Sequence, residues 1–187
     1  NVSDASMNDA IQNVGIGYQA LTDLTEGDYN ICIGTNAGAN ITTGDENVAI
    51  GDSALLSATA TNLCVAIGSG AGDAINHTDA VGSTLIGSYA GSELTSGQGS
   101  TALGQNALLS VSTGDYNTAV GKDALLAVTT GNTNSVVGSL AGAAITTGHG
   151  NVFMGKSAGG ATEDLGLSVI IGEEALGGGV ATSAADG

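Results

Sequence analysis

The sequence predicts an all-β fold: a parallel β-solenoid, or β-roll, of ten 17-residue coils. Three observations predict it. A glycine closing an apolar tripeptide recurs at Gly17, Gly34, Gly51, Gly68, Gly87, Gly104, Gly121, Gly138, Gly155 and Gly172, every interval being 17 except one of 19 between Gly68 and Gly87. Alanine stands three residues after each of these glycines, from Ala20 to Ala175. The composition, with 32 glycines, no proline or tryptophan and 3% aromatic residues, cannot build a conventional aromatic-rich core. At 42% apolar the chain is nevertheless too hydrophobic for disorder, and it has no three-residue period for collagen.

Each part of the unit has a physical role. Segments such as Asn47 to Gly51, N-V-A-I-G, are rich in β-branched residues and are expected as strands closed at a glycine corner. The stretch from the alanine to the next Ile or Leu is expected as a second, shorter strand, and T-T-G closes the coil. Helical solenoids need roughly 30 or more residues per unit, which excludes them here. Coils stacked at the strand spacing of ~4.8 Å would make a rod of roughly 50 Å. Four residues before the corner glycine stand Asn13, Asn30, Asn47, Asn117, Asn134 and Asn151, with Cys64, Ser83, Ser100 and Ser168 in the other coils. Stacked asparagines hydrogen-bond along such a ladder. The array is placed at 13–176, after a partial coil at 1–12 and before an irregular segment at 177–187.

Side-chain alternation assigns faces to the strand. Ile31 and Ile33, Val48 and Ile50, Val65 and Ile67, and Val152 and Met154 are expected to fill the roll. The residue between them then faces outward: Gly15, Cys32, Ala49, Ala66, Leu85, Ala102, Ala119, Val136, Phe153 and Ile170, none of them charged. A strand apolar on both faces is buried on both. The row from Cys32 to Ile170 is therefore expected to be an oligomer face, in a parallel homotrimer with Cys32 near the axis.

The strand segments N-V-A-I-G (Asn47 to Gly51), C-V-A-I-G (Cys64 to Gly68), N-T-A-V-G (Asn117 to Gly121) and N-S-V-V-G (Asn134 to Gly138) resemble the repeats of YadA-like heads. Those heads occur in trimeric autotransporter adhesins, and similar repeats occur in phage tail and head fibres. The resemblance runs from residue 13 to about 176. It implies a left-handed parallel β-roll, a trimer and an adhesive role. The unit here is longer, the extra residues lying in the T-T-G turn, and no neck or coiled-coil heptads follow.

Eighteen acidic residues face only Lys122 and Lys156, for a net charge of −16. Such a chain lacks the cations that neutralise phosphates, so nucleic acid is excluded as a partner. No apolar run is long enough to insert in a membrane. A start at Asn1 without Met suggests a processed or excised piece.

Catalytic patterns appear only as by-products of the repeat. Gly150 to Ser157 fits the phosphate-binding loop, but its four central residues are the expected strand. Gly155 to Gly159 fits a nucleophile elbow without a histidine in its row. Gly15 to Ala20 fits a dinucleotide fingerprint without a following helix. His77 and His149 lack partners at metal-binding spacing. Asp28, Asp45, Glu46 and Asp115 gather at one turn position, where a solvated acidic edge outweighs weak calcium binding. Cys32 and Cys64 stand two coils apart, ~9.6 Å by strand spacing, too far for a bridge. The row Thr25, Thr42, Thr59, Thr95, Thr129 and Thr146 is the one feature that suggests an ice-binding array.

These observations point to a structural or adhesive fibre segment, not an enzyme, with no cofactor or metal. Its setting is expected to be extracellular, at a cell surface or on a virion. Its partners are expected to be copies of itself and a host-surface receptor or glycan. Two alternatives are a subunit of a filament stacking solenoid ends, and a solenoid binding ice, glycan or calcium.

Overall fold

Each coil contributes one strand of three residues, and ten such strands form a single parallel sheet in chain order. The computed structural model describes residues 10–78, 80–161 and 163–177. The strands are β1 (Val14–Ile16), β2 (Ile31–Ile33), β3 (Val48–Ile50), β4 (Val65–Ile67), β5 (Thr84–Ile86), β6 (Thr101–Leu103), β7 (Thr118–Val120), β8 (Ser135–Val137), β9 (Val152–Met154) and β10 (Val169–Ile171). Most of the segments 1–12 and 177–187 lies outside the described residues.

The register never slips. Val14 pairs with Ile31 and Ile31 with Val48, and the pairing of Val65 with Thr84 absorbs the longer interval. Coil-to-coil bonding continues beyond the strands. Leu21 N–H donates to Ala37 O at 3.2 Å, and Thr25 N–H to Thr42 O at 3.0 Å. Backbone groups all round the coil are thus satisfied by the neighbouring coil, as burial of a backbone demands.

The expected second strand does not form. After the corner glycine the chain runs through consecutive turns, with left-handed backbone at Gln19 (φ 55) and Leu21 (φ 53). Two left-handed residues two positions apart cannot belong to an extended segment. The solenoid therefore has one sheet and a back built from turns. Leucine in this conformation costs roughly 1–2 kcal/mol. Burial of its side chain offsets that at Leu21, Leu55, Leu108 and Leu125.

The strand is the reverse of the expected one, inside out. Cys32, Ala49, Ala66, Leu85, Ala102, Ala119, Val136 and Phe153 are fully buried in the core, and Ile170 nearly so. None can form an oligomer face. The flanking residues, Ile31 and Ile33 among them, point outward and are half-buried or exposed. Alternation is the reason: the Asn side chain lies inside, so the residue two positions later does too. The middle residue is small where the residue six positions later is a buried leucine, and larger where that residue is glycine.

Core volume is shared within each coil between the middle strand residue and the residue six positions later. Small residues in the strand oppose leucine: Gly15 with Leu21, Ala49 with Leu55, Ala102 with Leu108, Ala119 with Leu125. Larger ones oppose glycine: Cys32 with Gly38, Leu85 with Gly91, Val136 with Gly142, Phe153 with Gly159. A Cβ on Gly38 would lie 2.5 Å from Cys32 Sγ, and one on Gly91 2.8 Å from Leu85 Cδ2. Where both are small, at Ala66 and Gly72, neighbouring coils fill the gap, with Leu85 Cδ1 2.8 Å and Leu55 Cδ2 3.2 Å from a Cβ built on Gly72. Where both are large, at Ile170 and Leu176, the leucine is 48% exposed.

Candidate interaction surface

The outer face of the sheet carries two parallel rows. One is aliphatic in every coil: Ile16, Ile33, Ile50, Ile67, Ile86, Leu103, Val120, Val137, Met154 and Ile171. The other is Val14, Ile31, Val48, Val65, Thr84, Thr101, Thr118, Ser135, Val152 and Val169. No position in either row is charged. All four tyrosines, Tyr18, Tyr29, Tyr89 and Tyr116, stand within three residues of a strand end, and all are exposed. The acidic residues instead concentrate on the turn-built perimeter, at Asp23, Glu26, Asp28, Asp45, Asp73, Glu93, Asp115, Glu163 and Asp164.

The expected ladders are structural devices. Asn134 donates through Nδ2 to Asn117 Oδ1 (3.0 Å) and to Gly148 O (2.8 Å). Its own Oδ1 accepts Asn151 N–H (3.1 Å) and Asn151 Nδ2 (2.9 Å). Serine keeps the acceptor role: Ser100 Oγ accepts Asn117 N–H at 3.3 Å. The corner glycines form a second column. Gly104 has φ 141, and a Cβ there would lie 2.5 Å from Gly121 O.

Hydroxyls of the threonine row are engaged by backbone. Thr25, Thr42, Thr95 and Thr129 Oγ1 each donate to a carbonyl of the next coil, at 3.0 to 3.2 Å. They do not form a free, flat array. The turn aspartates are engaged too: Asp45 Oδ1 accepts Asp28 N–H (2.8 Å), and Asp115 Oδ1 accepts Gln98 N–H (2.9 Å). Among the described residues no group of three or more His, Cys, Asp or Glu is placed to hold a metal ion.

Both cysteines are free and buried, Cys32 in the core instead of at an oligomer axis. Burial pushes the Cys32 thiol up to about 12 and raises Cys64 as well. Burial also raises Asp73, whereas the hydroxyls of Thr147 and Thr146 lower Asp164. The phosphate-loop pattern lies on β9, and Lys156 pairs with Glu173 at 3.2 Å on the surface. Turns, not a helix, follow Lys156 and Ser157, so no helix N-terminus meets an anion there. No helix among the described residues is long and apolar enough to cross a membrane.

A groove lies beside the longer coil. It measures about 550 Å³ and is lined by His77, Thr78, Val81, Ser96, Gln98, Thr113 and Asp115. It lies beside the two-residue insertion of the 19-residue coil. The insertion is pinned: His77 O accepts Ala80 N–H (3.2 Å) and Thr61 Oγ1 (3.3 Å). Thr61 and Ala80 replace glycine in the turn row on either side of the insertion, as Ala10 and Leu165 do at the two ends of the array. The substitution beside the insertion was the sequence signal for the groove.

The outer rows were missed in the sequence because apolar residues occupy both strand faces. The reciprocal sizes of the middle strand residue and the residue six positions later would have identified the core. Comparison with known protein families, with curated proteins and with solved structures finds no match in any of the three.

Proposed function

We propose that the chain is a rigid structural segment of a self-associated adhesive fibre, an extracellular or virion appendage. Its copies meet along the outer face of the β1–β10 sheet, three around one axis as the resemblance to YadA-like repeats implies. The supporting observation is the unbroken aliphatic row from Ile16 to Ile171, half-buried or exposed along a chain of net charge −16. Copies of so acidic a chain repel one another except where the contact is uncharged. This strip is uncharged, and tyrosine, a residue enriched at interfaces, flanks it. Ten strands at ~4.8 Å spacing span ~43 Å. The three-residue strands make the uncharged strip ~10 Å wide, or ~430 Å² per partner, about half of a standard interface, with the flanking tyrosines beside it.

Rigidity follows from the repeat. Each coil contacts only its neighbours, but every backbone rung and the asparagine ladder tie them together. Sedimentation velocity tests the proposal. The protein is expected to sediment as an oligomer at low micromolar concentration. The double variant Ile50→Lys/Ile86→Lys is expected to sediment as a folded monomer. A monomeric parent protein across the concentration range overturns the proposal.

A further inference from the structure

We propose that the groove beside the insertion binds a neutral saccharide, held by Ser96, Gln98, Thr113 and Asp115. The inference rests on the adhesive reading above and supplies it with a contact site. The groove volume of about 550 Å³ falls within the range of small-ligand sites. Its walls are mostly polar, unlike the apolar walls that hold hydrophobic ligands.

Its chemistry suits many hydroxyls and no charge. Among the described residues Asp115 is the one acidic side chain of the lining, and no lysine or arginine lines it. The net charge of −16 repels anionic ligands. Asp115 Oδ1 is occupied by Gln98 N–H, which leaves its second oxygen to accept from a ligand hydroxyl. The Gln98 amide both donates and accepts, as vicinal hydroxyls require.

The repeat supplies the spacing. Ser96 and Gln98 in one coil are matched by Thr113 and Asp115 in the next, ~4.8 Å away. Two pairs of polar groups at equivalent coil positions suit a ligand that itself repeats, as linked pyranoses do. Tyr116 is 55% exposed. Its ring lies against Gly99, next to Gln98, with Cδ1 2.7 Å from where a Cβ on that glycine would be. An exposed aromatic ring thus stands one residue along the chain from Asp115. The pinned His77 carbonyl fixes the opposite wall, which limits the ordering cost of binding.

Saturation-transfer NMR on the full chain with cellobiose, lactose, maltose and sialyllactose tests this. At least one neutral disaccharide is expected to receive saturation at millimolar concentration, and sialyllactose less. Gln98→Ala, and separately deletion of 77 and 78, are expected to weaken binding roughly tenfold with circular dichroism unchanged. No transfer to any neutral disaccharide, or unchanged affinity in a folded Gln98→Ala protein, overturns the proposal. Saccharide binding by a protein that fails to self-associate overturns the fibre reading alone. Self-association without saccharide binding overturns this inference alone.

Discussion

Phe153 occupies the space that a side chain at residue 159 would need: a Cβ on Gly159 would lie 2.5 Å from Phe153 Cε2. Other coils solve the same volume with the sizes exchanged, as Ala49 and Leu55 do. Phe153→Ala alone is expected to cost about 3–5 kcal/mol through the cavity it leaves. Gly159→Leu alone is expected to prevent folding of that coil. The double variant Phe153→Ala/Gly159→Leu rebuilds the Ala49–Leu55 arrangement and should recover most of the loss. Urea denaturation of the three variants checks this, with a coupling energy of about 2 kcal/mol or more expected.

The two faces of a strand should respond oppositely to charge. Ala49 is fully buried and Ile50 is half-buried on the outer face. Ala49→Asp is expected to unfold the central coils, because an unpaired buried carboxylate is costly. Ile50→Asp should leave the far-ultraviolet circular dichroism spectrum unchanged. A folded Ala49→Asp protein would reverse the assignment of the faces.

Asn134 serves three other groups at once, Asn117 Oδ1, Gly148 O and the Asn151 amides. Asn134→Ala orphans buried partners on both sides and is expected to cost about 2–4 kcal/mol. Asn134→Ser should cost less, because serine still accepts the next backbone N–H, as Ser100 does for Asn117. Thermal denaturation should rank the parent protein above Ser and Ser above Ala.

Cys32 is fully buried, and its thiol is raised from 9.0 to about 12. At pH 8 the folded protein should therefore resist iodoacetamide and react only in denaturant, since the thiolate is the nucleophile. The raised value means that the folded state holds the thiol proton more tightly than the unfolded chain. Its contribution to stability is complete below pH 9.0 and is lost as pH rises towards about 12. Cys32→Ala should flatten this alkaline decline in a denaturation series across that window.

Asp164 lies on the surface and accepts hydrogen bonds from Thr146 and Thr147 hydroxyls, both at 2.8 Å. These bonds lower its pKa below 3.8, so the folded state favours the charged form. The contribution is present above pH 3.8 and is lost as pH falls through the lowered value. Amide exchange near Thr146 and Thr147 is expected to accelerate below that pH, and Asp164→Asn should remove the pH dependence.

The sequence by itself determined the period, the strand positions and the strand register. A recurrence of Gly and Ala every 17 residues leaves the chain one way to stack like residues on like. It determined the Asn13–Asn151 and Gly17–Gly172 columns for the same reason. Only the tertiary structure decided which strand face is the core. With both faces apolar, hydropathy could not separate Ala49 from Val48 and Ile50. The inward-pointing asparagine two positions earlier could, because alternation then carries Ala49 inside and Val48 and Ile50 outside. The tertiary structure also decided that the back of the coil is made of turns, because buried leucines compensate for left-handed backbone at Leu21 and Leu55. The groove belongs to neither source alone. Its cause is the 19-residue interval, but the meeting of His77, Gln98 and Asp115 needed three coils stacked in space.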